Sequence, residues 1–292
     1  MTNVSSEKAK VADRLLRKHN QWTERLLALV SPVCTAIEQE RFRATPPGLG
    51  VCLAYLFTSA HNSYRALCRI CDADEAWGLQ GLALSRMILE NNVTAQWIAR
   101  EPCERASQFL QFEEVAVLQG AVIKGEIDTT YFDISVPLST DENNQKRQAI
   151  FEAASGLEIR LEEIARLRDK REFKKRIMGL RWTRKGIHAM AESLNDFELI
   201  DACDVLGSLA NSIVHGTPFG AKASMTDDSK FKFGPDPVLA VCAVGYGSAH
   251  LIDLSLLLCT HLGFDLKDEL IRAREELRQL NVEFGLEMKW SN

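Results

Sequence analysis

Residues 238–263 read VLAVCAVGYGSAHLIDLSLLLCTHLG, an apolar run long enough to cross a bilayer. Such a segment must be buried, either in lipid or among other helices. Asp253, His250 and His261 interrupt it, and no basic flank marks a cytoplasmic end. The reading that follows is a core helix enclosed by protein, with Gly245 and Gly247 letting neighbouring helices come close. Asp236 and Pro237 suit its cap and first turn. A helix apolar on most sides requires the rest of the chain to supply amphipathic helices around it.

The remaining sequence meets that requirement. Helical periodicity predicts a first helical region over 7–42, with a break at Pro32, then helices over 51–71 and 74–99 on either side of short stops. Pro102 fits the first turn of the next helix, and Asn195 or Asp196 caps another that runs to about residue 214. Residues 125–140 are β-rich or irregular, and a charged helical arm is expected over 141–176. Residues 215–237 form a long loop, of the kind that is functional or mobile. An amphipathic helix closes the C-terminal region, 237–288. The expectation is an all-α fold, one bundle-like helical domain over 1–292.

The chain carries 40 acidic and 35 basic residues, and a net charge of −5 argues against wholesale binding to nucleic acid or anionic lipid. The first twenty residues contain no apolar signal core, so no export signal is expected. The eight cysteines are scattered through apolar settings, which suits reduced thiols in the cytoplasm. Cys68 and Cys71 form one CxxC with no second pair and no histidine at ligand spacing, so neither a metal nor another cofactor is expected.

Three features carry chemistry. In the helix GLALSRMILENNVTAQWI, Arg86 and Glu90 stand one turn apart on a helix apolar on most faces, with Asn91 and Asn92 following. Desolvated charges need partners, so the pair is expected inside the bundle, either as structure or as the lining of a polar pocket with Asn91. In SLANSIVHGTP, Asn211, Ser212 and His215 share one helix face, and an imidazole there serves as an acid or base near neutral pH. Residues 166–185 hold ten basic and two acidic residues with Phe173 and Trp182 between them. Lys174, Lys175, Arg176, Arg181, Trp182, Arg184 and Lys185 are the residues that would meet a phosphate backbone and stack bases, against the plainer reading of a solvated helix face. The loops and motifs of nucleotide-binding, serine-hydrolase and zinc-protease folds are absent.

The order ALSRMILENNVTAQWI, ERASQFLQFEE, GLRWTRKGI, GSLANSIVHGT resembles the bacterial domain-of-unknown-function family 5677 over about residues 50–220. The residues that carry the resemblance are Arg86, Glu90, Trp182, Ser212 and His215. It implies a helical fold and no defined activity. More distantly, ANSIVH is similar to the motif of the HEPN superfamily, helical and often dimeric proteins that include RNases. Asn211 and His215 fit that motif and Ala210 stands at its arginine position, so Arg86 would have to supply the cation from another helix. Two functions are therefore in view. One is a binding or interaction module, its partner another protein or a small ligand, with Arg86, Glu90 and His215 as a polar cluster. The other is a metal-independent RNase, or an effector binding nucleic acid, in which the same three residues are catalytic and RNA is the partner. Homodimerisation is compatible with both, a membrane partner with neither, and the sequence does not decide whether the chain is an enzyme.

Overall fold

The computed structural model describes residues 2–39, 46, 48–124, 175, 179–183, 185–214 and 235–282, and the side chains of most of these. The fold is all-α, and no strand occurs among the described residues. The helices are α1 (Thr2–Glu38), α2 (Leu49–Ile70), α3 (Gly78–Arg100), α4 (Pro102–Lys124), α5 (Ile187–Leu194), α6 (Phe197–Val214), α7 (Pro237–Leu262) and α8 (Lys267–Val282). They belong to two compact units. One comprises Met1–Arg100 and Ile187–Asn292, the other Glu101–Gly186. The expected β-rich stretch near 125–140, most of the charged arm and the long loop lie outside the described residues.

In the first unit α7 is the central helix. It packs against α3, α1, α2 and α8, and 72% of its most apolar window is buried there. Asp236 caps it by accepting from the Leu239 N–H at 3.1 Å, and Pro237 follows at the first turn. Gly263, in the left-handed region at φ 78°, ends it. Three buried polar contacts fix its register. Ser85 Oγ donates to the Ala243 carbonyl (2.6 Å), Tyr64 and Ser248 share a hydroxyl hydrogen bond (2.8 Å), and Asn92 meets His250 (3.4 Å). Unlike apolar packing, each is lost if the helix slips by a turn.

The other helices present narrower stripes. On α1 the buried positions Leu15, Leu16, His19, Trp22, Leu26, Val30 and Val33 recur at helical spacing. That stripe continues across the exposed Pro32, and α1 runs unbroken to Glu38. Proline removes one N–H and its hydrogen bond, and Val30 and Val33 keep both sides of the site packed. The third helix starts at Gly78, later than its periodicity indicates, because Asp72 Oδ1 accepts the N–H groups of Asp74 and Glu75 and holds them in a turn. Ala76 adopts a left-handed φ of 47°, which also precludes helix there. Gly78 is then required by space: a Cβ would lie 2.5 Å from the Ala240 backbone nitrogen. At Gly247 a Cβ would lie 2.5 Å from the tip of Leu67, so the close approach expected on α7 involves α2. Asp196 caps α6 through the N–H groups of Glu198 and Leu199, and Asn195 precedes it in the left-handed region at φ 56°.

In the second unit Pro102 opens α4, Arg105 pairs with Glu101, and Phe109 meets Trp182 edge to face at 5.2 Å.

Candidate functional site

A cleft of about 850 Å³ runs along one side of α7, walled by α6 and α8 with Gln96 of α3 contributing. Its size falls in the range of small-molecule sites. The rim is exposed at Asp201, Asp204, Val205 and Thr260, and the interior is buried at Val241, Ala249, His250 and Asn281. Tyr246, Leu256 and Leu257 add apolar wall. The chain builds it because α7, packed by α3 and α2 on other faces, carries His250 and Asp253 three residues apart, which puts both on one face.

The polar groups are arranged along that face. Arg274 of α8 lies 3.5 Å from Asp253 and 3.2 Å from Glu198 of α6, so one guanidinium joins three helices. Burial raises the Asp253 carboxyl to about 6. Arg274 offsets part of the effect, and Glu198 and Asp196 add to it. His250 is set deeper. Gln96 donates to Asn92 Oδ1 at 3.2 Å, which turns the Asn92 amide N–H₂ toward His250 Nδ1. Nδ1 therefore accepts, and the ring proton resides on Nε2. Burial, and secondarily Arg274, lowers the imidazole to about 4, so the ring is neutral at pH 7. Its Nε2 has no hydrogen-bond partner among the described residues, whereas the buried amide of Asn281 meets the imidazole of His19 on α1. Both residues line the cleft. Buried polar groups of folded proteins are almost always satisfied, so an unsatisfied one on the lining of a cleft is informative.

The residues singled out from sequence have separate fates. Arg86 Nε and Glu90 Oε1 form the expected pair at 2.7 Å, but their side chains retain 27% and 37% exposure. The pair is half-solvated rather than interior, because only part of the α3 circumference is covered by α2, α5, α6 and α7. It stands beside Cys203 of α6, whose thiol is pushed up to about 12 by burial, with Asp204 and Glu90 adding and Arg86 opposing. Asn91 donates to Ser59 Oγ and the Met87 carbonyl, tying α3 to α2. Asn211 and Ser212 are on the last turns of α6, with side chains outside the described set, and His215 lies outside the described residues.

The same holds for Lys174, Arg176 and Arg184. Lys175, Arg181 and Lys185 are exposed, Arg181 donating to the Leu180 carbonyl, and Trp182 packs on Phe109. All eight cysteines are free thiols; burial raises Cys68 to about 11 and Cys71 to about 12. Among the described residues no three of His, Cys, Asp and Glu gather in a metal-binding arrangement.

Sequence reasoning used His250 and Asp253 only as interruptions of an apolar run, and passed over Glu198, Arg274 and Asn281. The available signal was the spacing in AHLID, two titratable groups on one face of a helix with no other charge.

The fold and cleft define a class, a helical protein with a small-molecule-sized cavity on one face of its central helix. Residues 51–232 match the model of a family of unknown function (DUF5677), and the chain belongs to that family. The match spans α2 to α6 and ends before α7 and α8, which build the rest of the cleft. No curated protein and no solved structure matches the chain.

Proposed function

We propose that this chain is a cytoplasmic, non-catalytic binding protein that holds a small organic molecule in the cleft between α6, α7 and α8. The observation that carries the reading is the unsatisfied buried Nε2 of His250 on the lining of a cavity large enough for such a ligand. Leaving a buried polar group unpaired costs on the order of 1–3 kcal/mol, a cost that a bound molecule with matching groups recovers. Eight free thiols support a reducing compartment. The Arg86–Glu90 pair acts here as part of the wall behind Cys203, and the basic residues Lys175, Arg181 and Lys185 as a solvated surface.

The test is a thermal-shift screen of the purified chain against fractionated cell extract, repeated with Val205→Trp. Val205 is exposed at the rim, so tryptophan there fills the mouth without entering the core. The expected result is at least one fraction that stabilises the protein and loses its effect in the variant. Cleavage of total RNA by the pure protein, undiminished by EDTA and abolished by His215→Ala, would replace this reading with the nuclease one.

A further inference from the structure

The carboxylates that line the cleft are engaged by the fold or by solvent. Asp196 accepts the N–H groups of Glu198 and Leu199, and Asp204 meets His188 Nε2 at 3.0 Å. Arg274 joins Glu198 to Asp253, and Asp201 is exposed. None of these groups calls for a ligand.

His250 does. It is 6% exposed, the Asn92 amide holds its Nδ1, and its Nε2 has no partner among the described residues. Gln96 fixes the Asn92 amide, and turning the ring over would set a carbon against the Asn92 N–H₂. The direction of the Nε2–H is therefore set before any ligand arrives. A buried donor without an acceptor is costly, and a molecule that brings the acceptor into the cleft recovers that cost.

The surroundings decide which kind of acceptor fits. The imidazole is neutral at pH 7, because burial lowers it to about 4, so it offers a dipole and no charge. Along the same lining Val241, Tyr246 and Ala249 precede it on α7, and Leu256 and Leu257 follow. An ion brought beside these groups loses its hydration and needs a counter-charge. Arg274, Asp253 and Glu198, the charged groups set around it, are already paired with one another. An uncharged acceptor is far cheaper to desolvate and takes the same proton.

Resting on the small-molecule reading above, we infer that the ligand is an uncharged organic molecule with an apolar body and a hydrogen-bond acceptor that takes the His250 Nε2–H.

The experiment is calorimetric titration of the whole chain, in weakly alkaline buffer, with four flat fused-ring probes. Quinoline carries a neutral acceptor, naphthalene carries none, indole only donates, and 2-naphthoate is an anion. Quinoline should bind at least roughly tenfold more tightly than naphthalene, the discrimination expected of one hydrogen bond to an otherwise unpaired buried group. Indole should bind no better than naphthalene, and 2-naphthoate more weakly than quinoline. His250→Phe should close the gap between quinoline and naphthalene while leaving naphthalene unchanged. An independent signal in the unaltered chain is the Nε2 proton of His250, whose magnetic resonance should move downfield with quinoline and stay in place with naphthalene. Equal binding of quinoline and naphthalene, a gap that survives His250→Phe, or an unmoved Nε2 proton would overturn the inference. Tighter binding of indole would show that Nε2 accepts, and tighter binding of 2-naphthoate that the ligand is anionic; either result overturns it, as does no quinoline binding at all. The small-molecule reading itself falls only if the extract screen also yields nothing sensitive to Val205→Trp.

Discussion

His19 and His250 are imidazoles that folding strips of water, and each is lowered to about 4 chiefly by burial, with Asn281 beside His19 opposing the effect there. A histidine whose pKa falls on folding contributes stability that is complete above its unfolded value of about 6.5. That contribution is lost as pH drops toward 4. Asp253 acts with the opposite sign: its raised carboxyl, about 6, favours the fold below its ordinary value and loses that advantage as pH rises through 6. Two histidines outweigh one aspartate, at up to about 3 kcal/mol each. The protein should therefore lose stability between pH 6.5 and 4, and His250→Gln should flatten that loss. Chemical denaturation across the window checks this, and a slope unchanged in the variant would show that His250 is not the neutral group assigned here. The Arg86–Glu90 pair is a smaller matter. Its residual exposure and the arginine-first order predict a coupling of about 0.5 kcal/mol in a double-mutant cycle of Arg86→Met and Glu90→Gln. A coupling of several kcal/mol would indicate the interior pair that the apolar sequence of α3 suggests.

At the level of helices, one tight approach is at the start of α3, where Gly78 meets α7. The atoms opposing a Cβ there are two backbone atoms and the Leu239 Cβ, none of which can rotate away, so Gly78→Ala should cost about 1–3 kcal/mol as overpacking. Gly247→Ala faces the flexible tip of Leu67 and should cost less; thermal unfolding of the two variants gives the order. Most helices were legible in the sequence because burial on one face leaves a period that composition cannot hide, as in the α1 stripe from Leu15 to Val33. The cap of α7 was legible too, since Asp before Pro has a local mechanism. The start of α3 was not. A turn held by the Asp72 carboxylate competes with helix at a position where periodicity favours helix. The candidate site was less legible still. Arg86 and Glu90 stand out in sequence because they adjoin each other, whereas Glu198, Asp253, Arg274 and Asn281 come together only through the packing of α6, α7 and α8.

On the scale of the chain, the first unit is assembled from two segments that flank residues 101–186. Its halves are joined at the junction itself: α3 packs against α5, and Arg100 donates to the Leu194 carbonyl at 3.0 Å. Replacing 101–186 with a short Gly/Ser linker should therefore leave a unit that unfolds in one cooperative transition and keeps any ligand-induced thermal shift that Val205→Trp removes. Loss of cooperative unfolding would show that the second unit is needed to hold the first together.

Helix α1 packs against α8, with Arg25 3.2 Å from Glu276 and His19 beside Asn281. During synthesis the N-terminal helix leaves the ribosome long before its partner exists, and α7 emerges with an apolar surface that α8 has yet to cover. Arg274 and Asn281 arrive on α8, so a nascent chain lacks that wall of the cleft until α8 is made. Until then the side of α7 that α8 covers is a surface a chaperone would hold. A chain truncated before that point lacks the α8 wall of the cleft, and the proposed ligand binding should be absent from it.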